Sequence, residues 1–141
     1  MHELLTAEPG TARLARTLAP SHCAMISLRR VQPHPQVLST NRHVLQGWVE
    51  LEQVHWDWAA QRLSGRAKVI GGEPFKLVVA NNGLTPVKAS AEQTSAVLSP
   101  AAWPELSVLV LERPTNSDTA WEINFAPPHK GKPDGHPGQS K

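Results

Sequence analysis

At 141 residues the chain is about one domain long, too short for an eight-fold β/α barrel of roughly 250 residues. Its 40% hydrophobic and 18% charged residues supply enough apolar mass for a folded core and too little charge for a wholly disordered chain. Net charge is only +2 with the two signs interspersed, so the basic stripe of a nucleic-acid-binding surface is missing.

Thirteen prolines and nine glycines, roughly one residue in six, argue against long helices and for short strands joined by turns. Near the N-terminus, Glu3, Glu8 and Pro9 interrupt any apolar run of the roughly 7–15 residues that an export signal needs. No stretch approaches the roughly 20 apolar residues of a membrane helix. The expectation for the chain as written is therefore cytoplasmic, with neither a membrane nor a nucleic acid as partner. Cys23 is the only cysteine, which leaves no internal disulfide and no thiolate-rich zinc site. In its apolar surroundings it reads as a buried, inert thiol.

In chain order, Thr11–Thr17 and Cys23–Val31 read as two strands around a turn at Leu18–His22, an N-terminal hairpin. Two strands alone are marginal in water, so this piece needs a neighbour to pack on. Gln32–Gln36, with two prolines in five residues, is expected to be a stiff connector. It divides residues 1–36, the hairpin remnant and connector, from a β-sandwich at 37–126 and a tail at 127–141. After Gly47, the run Trp48–Trp58 alternates Val54, Trp56 and Trp58 against His55 and Asp57, the period of a strand with one face in the core. Ala59–Gln61 turns it into Arg62–Ile70, whose inward set is Leu63, Ala67 and Val69, and Gly71-Gly72 breaks the ladder.

Pro74–Ala80 is the next strand, closed by the turn signal Asn81-Asn82-Gly83, after which Pro86–Ser90 returns. Ala91–Trp103 is ambiguous: Thr94–Leu98 has strand composition, while Ser99–Trp103 suits one helical turn with Ser99 as N-cap and Pro100 behind it. Leu106–Leu111 is an apolar run of strand length, Pro114–Asp118 is a loop, and Thr119–Phe125 alternates with Trp121, Ile123 and Phe125 on one face. Strands at such spacing point to an all-β, antiparallel Ig-like or jelly-roll-type sandwich. The tail from Pro127 holds only Pro, Gly, polar and charged residues, with nothing to bury, and is expected to be disordered.

Catalytic signals are sparse. Glu52 and Asp57 flank the Trp-rich strand, but an odd separation places them on opposite faces of a regular strand, so they cannot act as a glycosidase pair. The seven histidines include no H-x-H or H-E-x-x-H pair, so no metal site is expected, and no phosphate loop or nucleophile elbow is present. Five tryptophans, two phenylalanines and no tyrosine form a skewed aromatic set. Trp56, Trp58 and Trp121 lie on core faces by pattern. Trp48 and Trp103 adjoin turns, where an indole face can stack on a sugar ring, and the Arg42-His43 pair can hydrogen-bond a polar ligand. These four residues, Trp48, Trp103, Arg42 and His43, are the candidate carbohydrate contacts.

The segment LAPSHCAMISLRRV (Leu18–Val31) resembles the closing strands of the β-domain that follows the catalytic barrel in α-galactosidase-like (melibiase-type) glycoside hydrolases. HPQVLSTNRHVLQG (His34–Gly47), VHWDWAAQRLSGRAKVIGGEPFKLVVA (Val54–Ala80) and TAWEINF (Thr119–Phe125) are similar to an additional C-terminal β-module of bacterial relatives. The resemblance implies a secreted or periplasmic parent with an upstream barrel that carries the catalytic aspartates. No such barrel is present, so no catalytic position carries over. The expectation is a non-catalytic accessory β-domain without a cofactor, either a separated module or a truncated product, with glycan and a catalytic barrel of the same chain as partners. The competing expectation is an independent Ig-like module that binds a protein through an edge strand at Leu106–Leu111.

Overall fold

The computed structural model describes residues 15, 17–24, 28–42, 50–101 and 103–127. Eight strands form: β1 (Gln36–Thr40), β2 (Leu51–Asp57), β3 (Arg62–Val69), β4 (Phe75–Ala80), β5 (Thr85–Ala91), β6 (Ala96–Pro100), β7 (Leu106–Leu111) and β8 (Ser117–Ala126). They make two four-stranded antiparallel sheets, ordered β1-β4-β7-β6 and β2-β3-β8-β5. One apolar layer lies between them. Phe75, Leu77, Val79, Leu109 and Leu111 from the first sheet meet Trp56, Leu63, Ala67, Val69, Trp121, Ile123 and Phe125 from the second. Full burial of a large apolar side chain stabilises by about 1.5–3 kcal/mol, so this layer outweighs any single polar contact in the molecule. The all-β sandwich expected from the alternating pattern is the fold observed.

Only β2–β3 and β6–β7 are hairpins between sheet neighbours; every other described connection crosses from one sheet to the other. The Asn81-Asn82-Gly83 turn forms, with Asn82 at φ 47° and the Leu84 N–H donating to the Asn81 carbonyl at 3.1 Å. The strand that follows does not pair back. β4 already has β1 on one side and β7 on the other, so β5 crosses to an edge beside β8. The same crowding corrects the assignment of Leu106–Leu111 as an edge: β7 is internal, between β4 and β6.

Three further expectations are corrected. Ser99 and Pro100 end β6 rather than start a helical turn; at the end of an edge strand the missing proline N–H costs no ladder bond. Residues 11–14, 16 and 25–27 of the expected N-terminal hairpin lie outside the described residues; at its turn the His22 N–H donates to the Ala19 carbonyl at 3.1 Å. Cys23 is exposed, not buried. Trp58 leaves the core because β2 stops one residue before it: the Asp57 carboxylate accepts the Ala59 and Ala60 N–H groups at 2.9 and 3.0 Å, an Asx-type turn that carries the indole outward to 58% exposure.

The Pro-rich stretch is held on the sandwich. Pro35 is fully buried, and Asn82 Nδ2 donates to the His34 carbonyl at 2.7 Å and to Gln36 Oε1 at 3.2 Å. Apart from Pro127, the expected disordered tail lies outside the described residues.

Close packing centres on Gly65, which pairs with Trp121 across β3 and β8. A Cβ there would lie 2.8 Å from Trp121 Cζ2 and 3.3 Å from the Glu52 carbonyl oxygen. Trp121 is 2% exposed and walled by the core, so its ring has little room to retreat. Gly65→Ala is expected to lower stability by about 1–3 kcal/mol, seen as a lower urea midpoint at unchanged slope.

Candidate functional site

The structure separates the sequence-predicted contacts. Trp48 and His43 lie outside the described residues. Arg42 follows β1, and its guanidinium is already engaged: Nη1 donates to Glu73 Oε2 at 2.6 Å and Nη2 to the Glu73 carbonyl at 3.3 Å. Trp103, 39% exposed, sits in the β6–β7 loop, where its carbonyl accepts the Leu106 N–H at 3.0 Å. β1 and β6 are opposite edges of one sheet, and their registers place Arg42 and Trp103 at opposite ends as well. These two residues do not form one site.

An aromatic group missed by the alternation rule closes the end of the sandwich where β2 turns into β3. The His34 ring stacks on Trp56 at 5.7 Å with planes 7° apart, and Trp58 stands edge-on to both, at 5.5 and 5.9 Å. Phe125 supports Trp56 from the core side at 5.8 Å. Such offset and edge-to-face pairs add about 0.5–1.5 kcal/mol each beyond area burial. They hold the exposed Trp58 indole in one orientation. The available sequence signal was Asp57 itself, a residue whose carboxylate can accept the backbone N–H groups two and three positions on and so end a strand.

The solvent side of β2-β3-β8-β5 is a grid of charged and hydroxyl side chains. On β3, Arg62, Ser64, Arg66 and Lys68 share this face, opposite Glu122 and Asp118 of β8. Arg62 Nη1 donates to Glu122 Oε2 at 3.1 Å, Arg66 Nε to Asp118 Oδ1 at 3.2 Å, and Lys68 Nζ to Glu52 Oε1 at 2.6 Å. Ser90 on β5 donates to the other Glu122 oxygen at 2.9 Å. Glu52 and Asp57 turn out to share this face. A bulge between Glu52 and His55, with Gln53 at φ 54°, restores the parity that a regular strand would lose: Glu52 faces Arg66 and Asp57 faces Arg62. The two carboxylates stand four β3 residues apart, about 13 Å, each with its own cation.

Exposed pairs of this kind contribute only about 0.2–1 kcal/mol each. Their main effect is to fix directions, donors and acceptors being pinned in register by the ladder. A groove of about 450 Å³ runs across this grid from Gln53 over Ser64 to Glu122 and Ser90. The Ser64 hydroxyl in it makes no hydrogen bond to a described residue.

The outer side of β1-β4-β7-β6 is the opposite in character. Val78, Ala80 and Leu106 are buried there, with Leu38, Val108 and Ala101 packed against them. Val110 and Val97, paired across β7 and β6, continue the apolar face to its rim, where Val97 is 53% exposed. This sheet is apolar on both faces, whereas a two-layer sandwich ordinarily turns polar residues outward.

Electrostatics at the turn follow from the geometry. The Ala60 N–H holds the Asp57 carboxyl below its ordinary value against some burial, with the Ala59 N–H, Arg62 and His55 adding to the lowering. The Glu52 hydrogen bond and charge raise Lys68. Among the described residues no group of three His, Cys, Asp or Glu side chains is placed to hold a metal ion.

No protein-family model matches the chain. No curated protein matches it. No solved structure does either.

A carboxyl whose value is depressed on folding stabilises above its ordinary value of 3.8 and loses that contribution as pH falls through the folded value. Asp57→Ala should therefore be less stable than the parent at neutral pH. The gap between their urea midpoints should close as pH is lowered below 3.8, with no further loss for the variant from this group.

Proposed function

We propose that the chain is a non-catalytic accessory β-sandwich of a carbohydrate-active enzyme, packing the outer face of β1-β4-β7-β6 against a neighbouring catalytic domain. The observation that carries this reading is the second apolar face of that sheet, from Val78 to the half-exposed Val97. A sheet covered on both sides reads as near-continuous apolar runs, and Leu77–Ala80 and Leu106–Leu111 are such runs, broken only by Ser107. Leu18, Leu28 and Val31, all exposed, add apolar surface on the segment that precedes β1. Val97, at the rim of that face, and these three side chains are the exposed apolar residues that this reading assigns to the contact.

The kind of partner comes from the resemblance of Leu18–Val31 and Val54–Ala80 to melibiase-type enzymes. The carboxylates of the polar face support a supporting rather than a hydrolytic role. Glu52, Asp57, Asp118 and Glu122 each lie on a cation or a backbone N–H, where a glycosidase acid must be free to hold a transferable proton. Trp103, 39% exposed in the β6–β7 loop, supplies an aromatic face for weak contact with glycan.

Sedimentation of the purified chain with the isolated catalytic barrel of an α-galactosidase-like enzyme tests the reading. A complex is expected, and Val97→Asp with Val110→Asp should dissolve it while the thermal unfolding of the chain remains cooperative. Absence of a complex, a complex indifferent to both substitutions, or hydrolysis of nitrophenyl galactosides by the chain alone would overturn it.

A further inference from the structure

The groove on the outer face of β2-β3-β8-β5 lies on the opposite sheet from the proposed docking face, and nothing in that docking role uses it. Its lining is rigid because it is built on ladder positions. Ser64 pairs with Glu122 across β3 and β8, and Glu122 pairs with Ser90 across β8 and β5, so three polar side chains stand in one row. On the β2 side the bulge turns Gln53 out of register and into the groove wall. With strands about 4.8 Å apart, four strands span about 14 Å, the reach of a short chain of linked rings rather than of one.

The chemistry of the lining selects among ligand classes. Arg62 and Arg66 are matched by Glu92 and Glu122, so the groove has no net charge. Both arginines are also already committed, to Glu122 and Asp118. A phosphate or carboxylate ligand would have to displace these partners, and a cation would meet two guanidinium groups. A lipid or aromatic ligand finds little to bury against, because Trp121, the one large apolar side chain at the groove, is 2% exposed.

What remains on offer is an alternation of directed donors and acceptors. The Ser64 hydroxyl makes no bond to a described residue, and Glu122 and Ser90 are held in place by each other and by Arg62. A ligand whose every group both donates and accepts, with no charge, fits that array; hydroxyls on a saccharide do so. Fixed polar groups of this kind bind without first losing rotamer freedom, and the volume of about 450 Å³ lies within the ordinary range for small-molecule sites.

We propose that this groove binds a short uncharged oligosaccharide, with Ser64, Glu122, Ser90 and Gln53 as the hydrogen-bonding row and Arg62 fixing Glu122. The assignment of a sugar rests on the carbohydrate reading above, while the site is a different one from Trp58, Trp103 and the docking face. The step is binding only, and no bond is made or broken.

Amide chemical shifts of the purified full chain, titrated with melibiose, with uncharged galactomannan oligosaccharides and with trigalacturonate, test it. The uncharged oligosaccharides are expected to give saturable shifts centred on Ser64, Gly65 and Glu122, and trigalacturonate none. Ser64→Ala, which breaks no bond between described residues, should weaken binding about threefold to tenfold, the value of one neutral hydrogen bond. Ser64→Trp, which fills the groove from its solvent side, should abolish it with the unfolding transition retained.

Trp58→Ala should leave these shifts unchanged. Val97→Asp should leave them unchanged too, while it disrupts the complex with the barrel, so that the groove and the docking face fail or succeed separately. The proposal falls if no uncharged sugar produces saturable shifts at millimolar concentration. Tighter binding of trigalacturonate would overturn the ligand class, and binding that survives Ser64→Trp or vanishes with Trp58→Ala would overturn the site.

Discussion

The close seat of Trp121 of β8 on Gly65 of β3, on the inner face of one sheet, is the constraint on which the rest of the molecule depends. β8 is internal in its sheet, with β3 on one side and β5 on the other, and Trp121 is the bulkiest inward side chain it carries. Without a side chain at Gly65, the indole lies against the β3 backbone and still leaves room for Leu77, Leu109 and Leu111 from the facing sheet. A β-carbon at that position has to push against a wall of fully buried side chains, and close-packed interiors transmit such displacements instead of absorbing them. The outward face of β3 shares this backbone, so Arg62, Ser64 and Arg66 are carried by the same stretch of strand that the indole packs against.

Strands whose faces differ in polarity were legible in the sequence. Leu63, Ala67 and Val69 on β3 and Trp121, Ile123 and Phe125 on β8 alternate as a half-buried strand must, and they occupy the core. What alternation could not reveal was which strand pairs with which. Asn81-Asn82-Gly83 forms the turn its residues dictate, yet the neighbours of β4 were decided by pairings with β1 and β7 far along the chain. Leu106–Leu111, apolar except at Ser107, carries no mark of its outer face, and it proved internal with apolar residues on both sides.

Of the candidate site, single residues were legible and their grouping was not. Arg42 was marked as a contact for a polar ligand, and in the structure its guanidinium bonds Glu73, 31 positions away on another loop. The polar face was obscured by one irregular residue. Counting by twos from Glu52 to Asp57 assigns them opposite sides, and the extra residue at Gln53 reverses that result. Bulges have no strong compositional mark when no glycine is involved, so this parity change was invisible without coordinates.

Register shifts have a consequence at the rims of both sheets. Of the four outermost strands, β1, β2 and β5 each carry an irregularity, at Val37/Ser39, Glu52/His55 and Pro86/Lys88. A kinked rim is a poor template for another chain's backbone, and natural proteins use this device against runaway stacking. β6 is straight by comparison, with an unbroken ladder on β7, but it is five residues long and closes with Pro100. The fold thereby denies fibril growth three of its four starting points and leaves the last one short.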